Sequence, residues 1–257
     1  MATDWLLTQN RRMKAQGIFN WTLPAWAVTL KDEAPDGTIT TRNINVCPQA
    51  GVCAKFCYAL DGAYRYPNVR QRHENNLRLV LDTPLVWQER MTAELRHRRY
   101  AGAAIRIHDA GDFFTDSYTM QWLELIRGAP QGQTFYAYTK AVSRFQRLVE
   151  PNCPANFKFV ASLGGKEDHL IIKELDRHAD VFPDTSSLEA AGYSSQEASD
   201  LLAVFGPPRV GMAANRPRKG LKDHSFGELQ EIDDIKAAAR RARAHARARA
   251  KARRDSS

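Results

Sequence analysis

Three of the chain's four cysteines, Cys47, Cys53 and Cys57, fall within eleven residues with the spacing C-x5-C-x3-C. Soft thiolates gathered on one short loop suit zinc or an iron–sulfur cluster. Pro48 and Gly51 let such a loop bend tightly enough for three sulfurs to approach one point. A structural zinc site normally closes with four ligands, often as two C-x2-C pairs. Here the thiols are unequally spaced and no second pair follows. Three thiolates can hold three irons of a cubane and leave the fourth open to a substrate. The alternatives are free thiols packed as small hydrophobes, or one disulfide with an odd thiol. The remaining cysteine, Cys153, precedes a predicted strand at the opposite end of the sheet and reads as a structural thiol.

Further polar residues sit where predicted strands end. His108 and Asp109 follow Ala103–Ile107 and form a candidate general acid/base pair or substrate ligands. Tyr138 and Lys140 close the segment starting at Thr134, and Lys140 can hold a carboxylate or phosphate as a point charge. Arg106 shares a strand face with His108; buried there it needs an anionic partner, for which Asp112 is the candidate. His73, on a predicted helix, is the best candidate for a nitrogen ligand to a metal, although its apolar neighbours favour packing. No Walker A, G-x-G-x-x-G, H-E-x-x-H or G-x-S-x-G string occurs.

The elements that must position these residues alternate along the chain. Pro35-Asp-Gly37 between Ala27–Lys31 and Thr38–Thr41 predicts a hairpin, and Asn43–Val46 leads from it into the cysteine loop. Apolar residues at helical spacing predict helices over Tyr64–Leu81 and from Pro84. Residues 1–15 read as helical or frayed. Strands are expected at 103–108, 134–138, 157–161, 180–182 and 208–212, with helices near 117–128, 143–149, 168–178 and 194–204. Short strands alternating with helices imply βα units on a parallel sheet. The predicted fold class is α/β: a partial or split (βα) barrel with about six parallel strands and a basic C-terminal helical extension. Ligands in such folds bind at the C-terminal ends of the strands.

Composition bounds the rest. The chain has 257 residues, 43% apolar and 26% charged, as expected of a soluble globular protein. No apolar run is long enough to span a membrane, and the N-terminus lacks a secretory signal pattern. A reducing cytoplasm is the expected location. The net charge of +8 is localised: residues 236–254 hold nine Lys and Arg and no acid, and residues 1–235 carry no net charge. The domain reading is therefore 1–225 as the α/β body and 226–257 as an Ala/Arg-rich tail, helical or disordered. The tail is expected to contact nucleic acid or another polyanion nonspecifically.

Several uncommon strings occur together: Trp21-Thr-Leu-Pro-Ala25, the cysteine segment, Phe56-Cys57-Tyr58-Ala59, Arg106-Ile-His-Asp-Ala-Gly-Asp-Phe113, Trp122 and Phe135-Tyr-Ala-Tyr-Thr-Lys140. In this order, over roughly residues 10–165, they resemble the phage and plasmid "gene product eighty-eight" domain family. That domain in turn resembles the radical SAM (S-adenosylmethionine) iron–sulfur superfamily. The second resemblance implies a [4Fe–4S] cluster on Cys47, Cys53 and Cys57, with SAM on its open iron. It implies Phe56, Tyr58, Gly111, Asp112 and Ser162 as cofactor contacts, the Ala110-Gly111-Asp112 string standing where a Gly-Gly-Glu-like motif is usual. His108, Asp109, Tyr138 and Lys140 would then face an unknown substrate for radical chemistry. The cysteine spacing departs from the usual C-x3-C-x2-C, and Asp112 is shorter than glutamate. The alternative expectation is a non-enzymatic protein with zinc or a structural cluster and a nucleic-acid-binding tail.

Overall fold

The computed structural model describes residues 5–214, 221 and 223–255. Nine strands and nine α-helices are found among them. Seven strands form one sheet in the order β1 (Ile18–Trp21), β4 (Ala104–Ile107), β5 (Thr134–Thr139), β6 (Phe157–Ser162), β7 (His178–Phe182), β9 (Arg209–Ala213), β8 (Ser194–Ser195). Every pairing in it is parallel. The edge strands β1 and β8 do not pair with each other, so the sheet is open. The expected barrel is thus corrected to an open parallel sheet of seven strands. The predicted hairpin forms a separate antiparallel ribbon of β2 (Ala27–Glu33) and β3 (Ile39–Asn45).

Side-chain alternation assigns the two faces of the sheet. Phe19, Trp21, Ile105, Ile107, Phe135, Ala137 and Phe157 pack into one core with α3 (Pro67–Asp82), α4 (Pro84–Leu95), α5 (Asp116–Arg127) and α6 (Val142–Leu148). Trp21, Trp87 and Trp122 meet at its centre, with ring centroids 5.3–6.4 Å apart. These helices start where local chemistry allows. Pro67 and Pro84 occupy first-turn positions that need no amide donor, and the Thr115 hydroxyl accepts from Tyr118 N at the start of α5. On the other face Ile18, Tyr136, Val160, Ala179 and Val210 are covered by Met13 of α1 (Arg11–Ala15) and by Ala203 and Val204 of α8 (Leu202–Phe205). Toward the strands' C-terminal ends this face carries Arg106 and Tyr138 instead.

Three sequence expectations change. The segment 168–178 is not a helix: a single 3-10 turn at Asp168–Leu170 leads through an irregular stretch into β7 at His178. The helix expected over 194–204 is the edge strand β8 followed by the one-turn α8. Strand β1 and helix α7 (Thr185–Ala190) have no counterpart in the sequence reading. Of the segment expected to be helical over 1–15, residues 1–4 lie outside the described residues, and α1 is its helical part. The basic tail belongs to α9, one helix over Phe226–Asp255. No helix among the described residues is long and apolar enough to cross a membrane.

Candidate functional site at the C-terminal edge of the sheet

The cysteine loop lies across the C-terminal ends of β4, β5 and β6, held almost wholly by backbone. Asp112 N donates to Val46 O at 2.9 Å, just before Cys47. Gly51 N and Cys53 N both donate to Gly164 O at 3.1 Å, beyond β6. Lys166 N donates to Gln49 O at 2.8 Å, and its ammonium to Pro48 O at 2.7 Å. Helix α2 (Val52–Lys55) begins inside the loop. On its other side stands the start of α9. Gln230 Oε1 accepts from Val52 N at 2.8 Å, Lys55 pairs with Asp233, and the rings of Phe56 and Phe226 lie 5.8 Å apart. The loop is therefore clamped between the sheet edge and α9.

Cys47, Cys53 and Cys57 are each half-buried, whereas Cys153 is exposed, away from them before β6. The Cys47 thiol is held well above its ordinary pKa, first by burial, then by the nearby Asp112 carboxylate and the charges of Cys53 and Cys57. Cys47 thus lies within electrostatic reach of both Cys53 and Cys57, and its thiol stays protonated unless a cation displaces the proton. As donors, three thiols suit a soft metal or cluster; Cys53 packs beside Val52, Leu221 and Phe226, and Cys47 against the main core. The three thiols do not stand at coordination spacing: among the described residues no three His, Cys, Asp or Glu side chains converge tightly enough to hold a metal ion.

Beneath the loop lies a buried charge cluster. Lys140 is 9% exposed, and its ammonium donates to Ser162 Oγ at 2.7 Å, Leu163 O at 2.8 Å and Ser162 O at 3.0 Å. Asp112 Oδ1 accepts from Phe113 N and Thr139 Oγ1, and its Oδ2 from Lys140 N, all at 2.7–2.9 Å. Burial raises the Asp112 pKa despite these donors. Asp168 accepts from Gly164 N and Gly165 N at 2.7 and 2.8 Å, fixing the turn that feeds Gly164 O to the cysteine loop. Desolvation pushes the Asp168 carboxyl up to about 6, with Lys140 opposing. Asp180, whose Oδ1 accepts from Gly227 N at 3.1 Å, is raised by burial as well.

The raised Asp168 pKa has a direct consequence for stability. The folded state keeps a proton that the unfolded chain, with a carboxyl near 3.8, gives up. Its stabilising contribution is full below about pH 4 and is lost as pH rises through about 6. Urea midpoints measured from pH 4 to 7 should show this decline, and Asp168→Asn should flatten it. An unchanged profile in the variant would remove Asp168 as its source.

A second polar group occupies the neighbouring edge. The Tyr58 and Tyr64 hydroxyls donate to Asp109, Tyr58 to its carbonyl and Tyr64 to its carboxylate. Arg106 faces Asp200 at 3.2 Å and Asp109 at 3.8 Å, and its guanidinium lies 5.3 Å from the Tyr138 ring centroid. Tyr136 donates to Asp200 and Tyr138 to Gln196. Arg106 therefore takes Asp200 and Asp109 as its partners, not Asp112. His73 is tilted against Tyr64 at 5.8 Å, and burial lowers its pKa.

His108 does not join either group. It takes a left-handed φ of 69° at the end of β4, and its ring packs on Phe113 and Tyr118 in the aromatic core. Its Nε2 lies 2.8 Å from the Tyr118 hydroxyl, which accepts from Trp21 Nε1 and so donates to the imidazole. Burial pushes the His108 pKa down to about 3, so it is neutral at physiological pH. The expected His108–Asp109 acid/base pair is thus separated: one residue faces the core, the other the tyrosines. Lys140 and Ser162 bond to each other, Asp112 accepts three hydrogen bonds, and Phe56 packs on Phe226. Gly111 keeps its expected place beside Asp112. Its φ is +86°, and a Cβ there would meet Leu23 Cβ at 2.7 Å, so only glycine fits this turn.

The sequence reading passed over Asp168, Asp180, Tyr64, Asp200 and Gln230. Asp168 had a local signal, standing three residues after the Gly164-Gly165 turn whose amides it caps. Asp200 and Gln230 had none, because their partners lie tens to hundreds of residues away.

No solved structure matches the chain. A curated relative, the Gene 88 protein of Mycobacterium phage L5, is 34% identical over 102 residues, which cover 37% of this chain and 42% of that relative. The similarity thus spans less than half of either protein. The family described as Gene product 88 matches residues 5–250, from ahead of β1 nearly to the end of α9. With the match running through the sheet, the cysteine loop and the helix that clamps it, the chain belongs to the Gene product 88 family.

Proposed function

We propose that the chain is an iron–sulfur protein with radical-SAM-like chemistry, its cluster held by Cys47, Cys53 and Cys57. The observation that carries the reading is the placement of three half-buried thiols on one loop fixed to the C-terminal edge of a parallel sheet. That edge is where α/β folds bind their ligands. When bound, such a cluster supplies a single electron to reductive chemistry. The chain's own residues do the rest. Gly164 O and Gln230 hold the loop, Val52, Phe56 and Phe226 exclude water from one side, and Asp112 and Lys140 fix the floor below it. SAM is the proposed partner of the cluster; for Ser162 or Asp112 to contact it, each must exchange its present hydrogen bonds.

The test is anaerobic purification of the full chain, with iron, sulfide and zinc analysis and low-temperature EPR with and without SAM. The expected result is about four irons and four sulfides per chain, with an EPR signal that changes on adding SAM. Cys53→Ala and Cys57→Ala should each lose the cluster. One equivalent of zinc without iron would overturn the reading. A cluster whose signal ignores SAM would restrict it to electron transfer or structure.

A further inference from the structure

The distal half of α9 carries charge that no ion pair among the described residues neutralises. Lys236, Arg240, Arg243, Arg247 and Lys251 recur every three or four residues, so they share one face of the helix, and all five are exposed. They span about 22 Å at 1.5 Å per residue. No acid occurs from 236 to 254, so the like charges along this face oppose the helix they sit on. Arg241 and Arg249 fall on other faces, and alanine fills most of the remaining positions. The first turns are anchored to the body through Phe226, Gly227, Gln230 and Asp233. The basic stripe is therefore held out at a fixed place rather than on a free tail.

We infer that this stripe is a docking surface for duplex DNA, contacting its phosphates without reading sequence. Charge complementarity is the argument, and the composition selects among polyanions. The helix has no bulky apolar face to enter a membrane interface from 236 onward. It has no aromatic residue there on which unpaired bases can stack. The major groove of B-DNA, about 12 Å wide, admits an α-helix, while the deep, narrow groove of A-form RNA does not. This inference does not depend on the cluster: the α9 side chains that hold the cysteine loop are Phe226, Gln230 and Asp233, ahead of the stripe.

The experiment is fluorescence anisotropy of the full chain on a mixed-sequence 30-base-pair DNA duplex between 50 and 200 mM salt. Five phosphate contacts predict a slope of log affinity against log salt of about −4.5. Arg243→Gln with Arg247→Gln should make the slope shallower by about 1.8, whereas the charge-matched pair Arg241→Gln with Arg249→Gln should leave it close to wild type. Glutamine is a good helix former, so both variants keep the helix, which circular dichroism checks. Equal losses in the two pairs would overturn the stripe. Tighter binding to single-stranded DNA, or to vesicles containing phosphatidylserine, would overturn duplex DNA as the partner.

Discussion

Replacing Lys140 by methionine is expected to destabilise the protein by about 3–5 kcal/mol, the cost of breaking a buried charge cluster by removing one member. Methionine keeps the length and packing of the stem but removes the ammonium. Two carbonyls and the Ser162 hydroxyl then lose their donor. Asp112, Asp168 and Asp180, which all feel the Lys140 charge, lose the cation that offsets their burial. Their pKa values should rise further, so the variant's deficit should be larger at pH 7.5, where the carboxyls must ionise without the cation, than at pH 5, where they keep more of their protons. Equilibrium urea unfolding at pH 5 and pH 7.5 measures both effects. A loss below about 1 kcal/mol, the range of an exposed ion pair, would show that the cluster is solvated and does not depend on Lys140.

The second large effect is expected at Gly164, where a valine should undock α9 from the cysteine loop. Gly164 has a φ of +91°, and a Cβ there would lie 2.9 Å from Phe226 Cβ and 3.0 Å from its ring. A β-branched residue in that conformation costs about 1–3 kcal/mol in backbone strain. The contact adds to this, because the Phe226 backbone must shift to relieve it. Gly164 O also receives Gly51 N and Cys53 N, so the strain is delivered to the loop itself. Hydrogen exchange at the amides of Val52 and Gly227 should quicken strongly, since their acceptors are Gln230 on α9 and Asp180 opposite it. Gly192→Val is the control. Its φ is +76°, yet nothing lies within 4 Å of a Cβ there, so it carries strain without displacing a helix. Equal acceleration in both variants would rule out Phe226 docking as the cause.

The parts of the fold that were legible share a local code. β4, β5 and β6 announce themselves because Ile105 and Ile107, Phe135 and Ala137, and Phe157 alternate toward one helix-covered face. The hairpin follows from the turn chemistry of Pro35-Asp-Gly37. The segment 168–178 misled because Ile171, Ile172 and Leu175 sit at helical intervals. Only Ile171 is buried, and Asp168 spends its carboxylate on the Gly164 and Gly165 amides instead of starting a helix. Ser194 and Ser195 gave no strand signal, since an edge pairing to β9 is made by backbone alone. At the site, the cysteines and the edge that holds them were legible from residue type and order. The contacts of His108, Lys140 and Ser162 were not. A polar residue at a strand end can turn to the core, to its neighbour or to solvent, and the choice depends on partners such as Tyr118 and Leu163 that no local pattern links to it.

The clamp on the cysteine loop also dictates when the loop can close. Val52–Gln230 and Lys55–Asp233 each join residues 178 positions apart. A ribosome adding about 5–20 residues per second needs about 9–36 s to make the chain between them. Through most of that interval Cys47, Cys53 and Cys57 have left the ribosome, while the helix that clamps their loop does not yet exist. The newborn chain thus passes through a stage in which its thiols are open to metal delivery or to oxidation, and synthesis of α9 ends it. In the completed molecule a reagent reaches the side of Cys53 packed against Phe226 only as fast as the start of α9 lifts away.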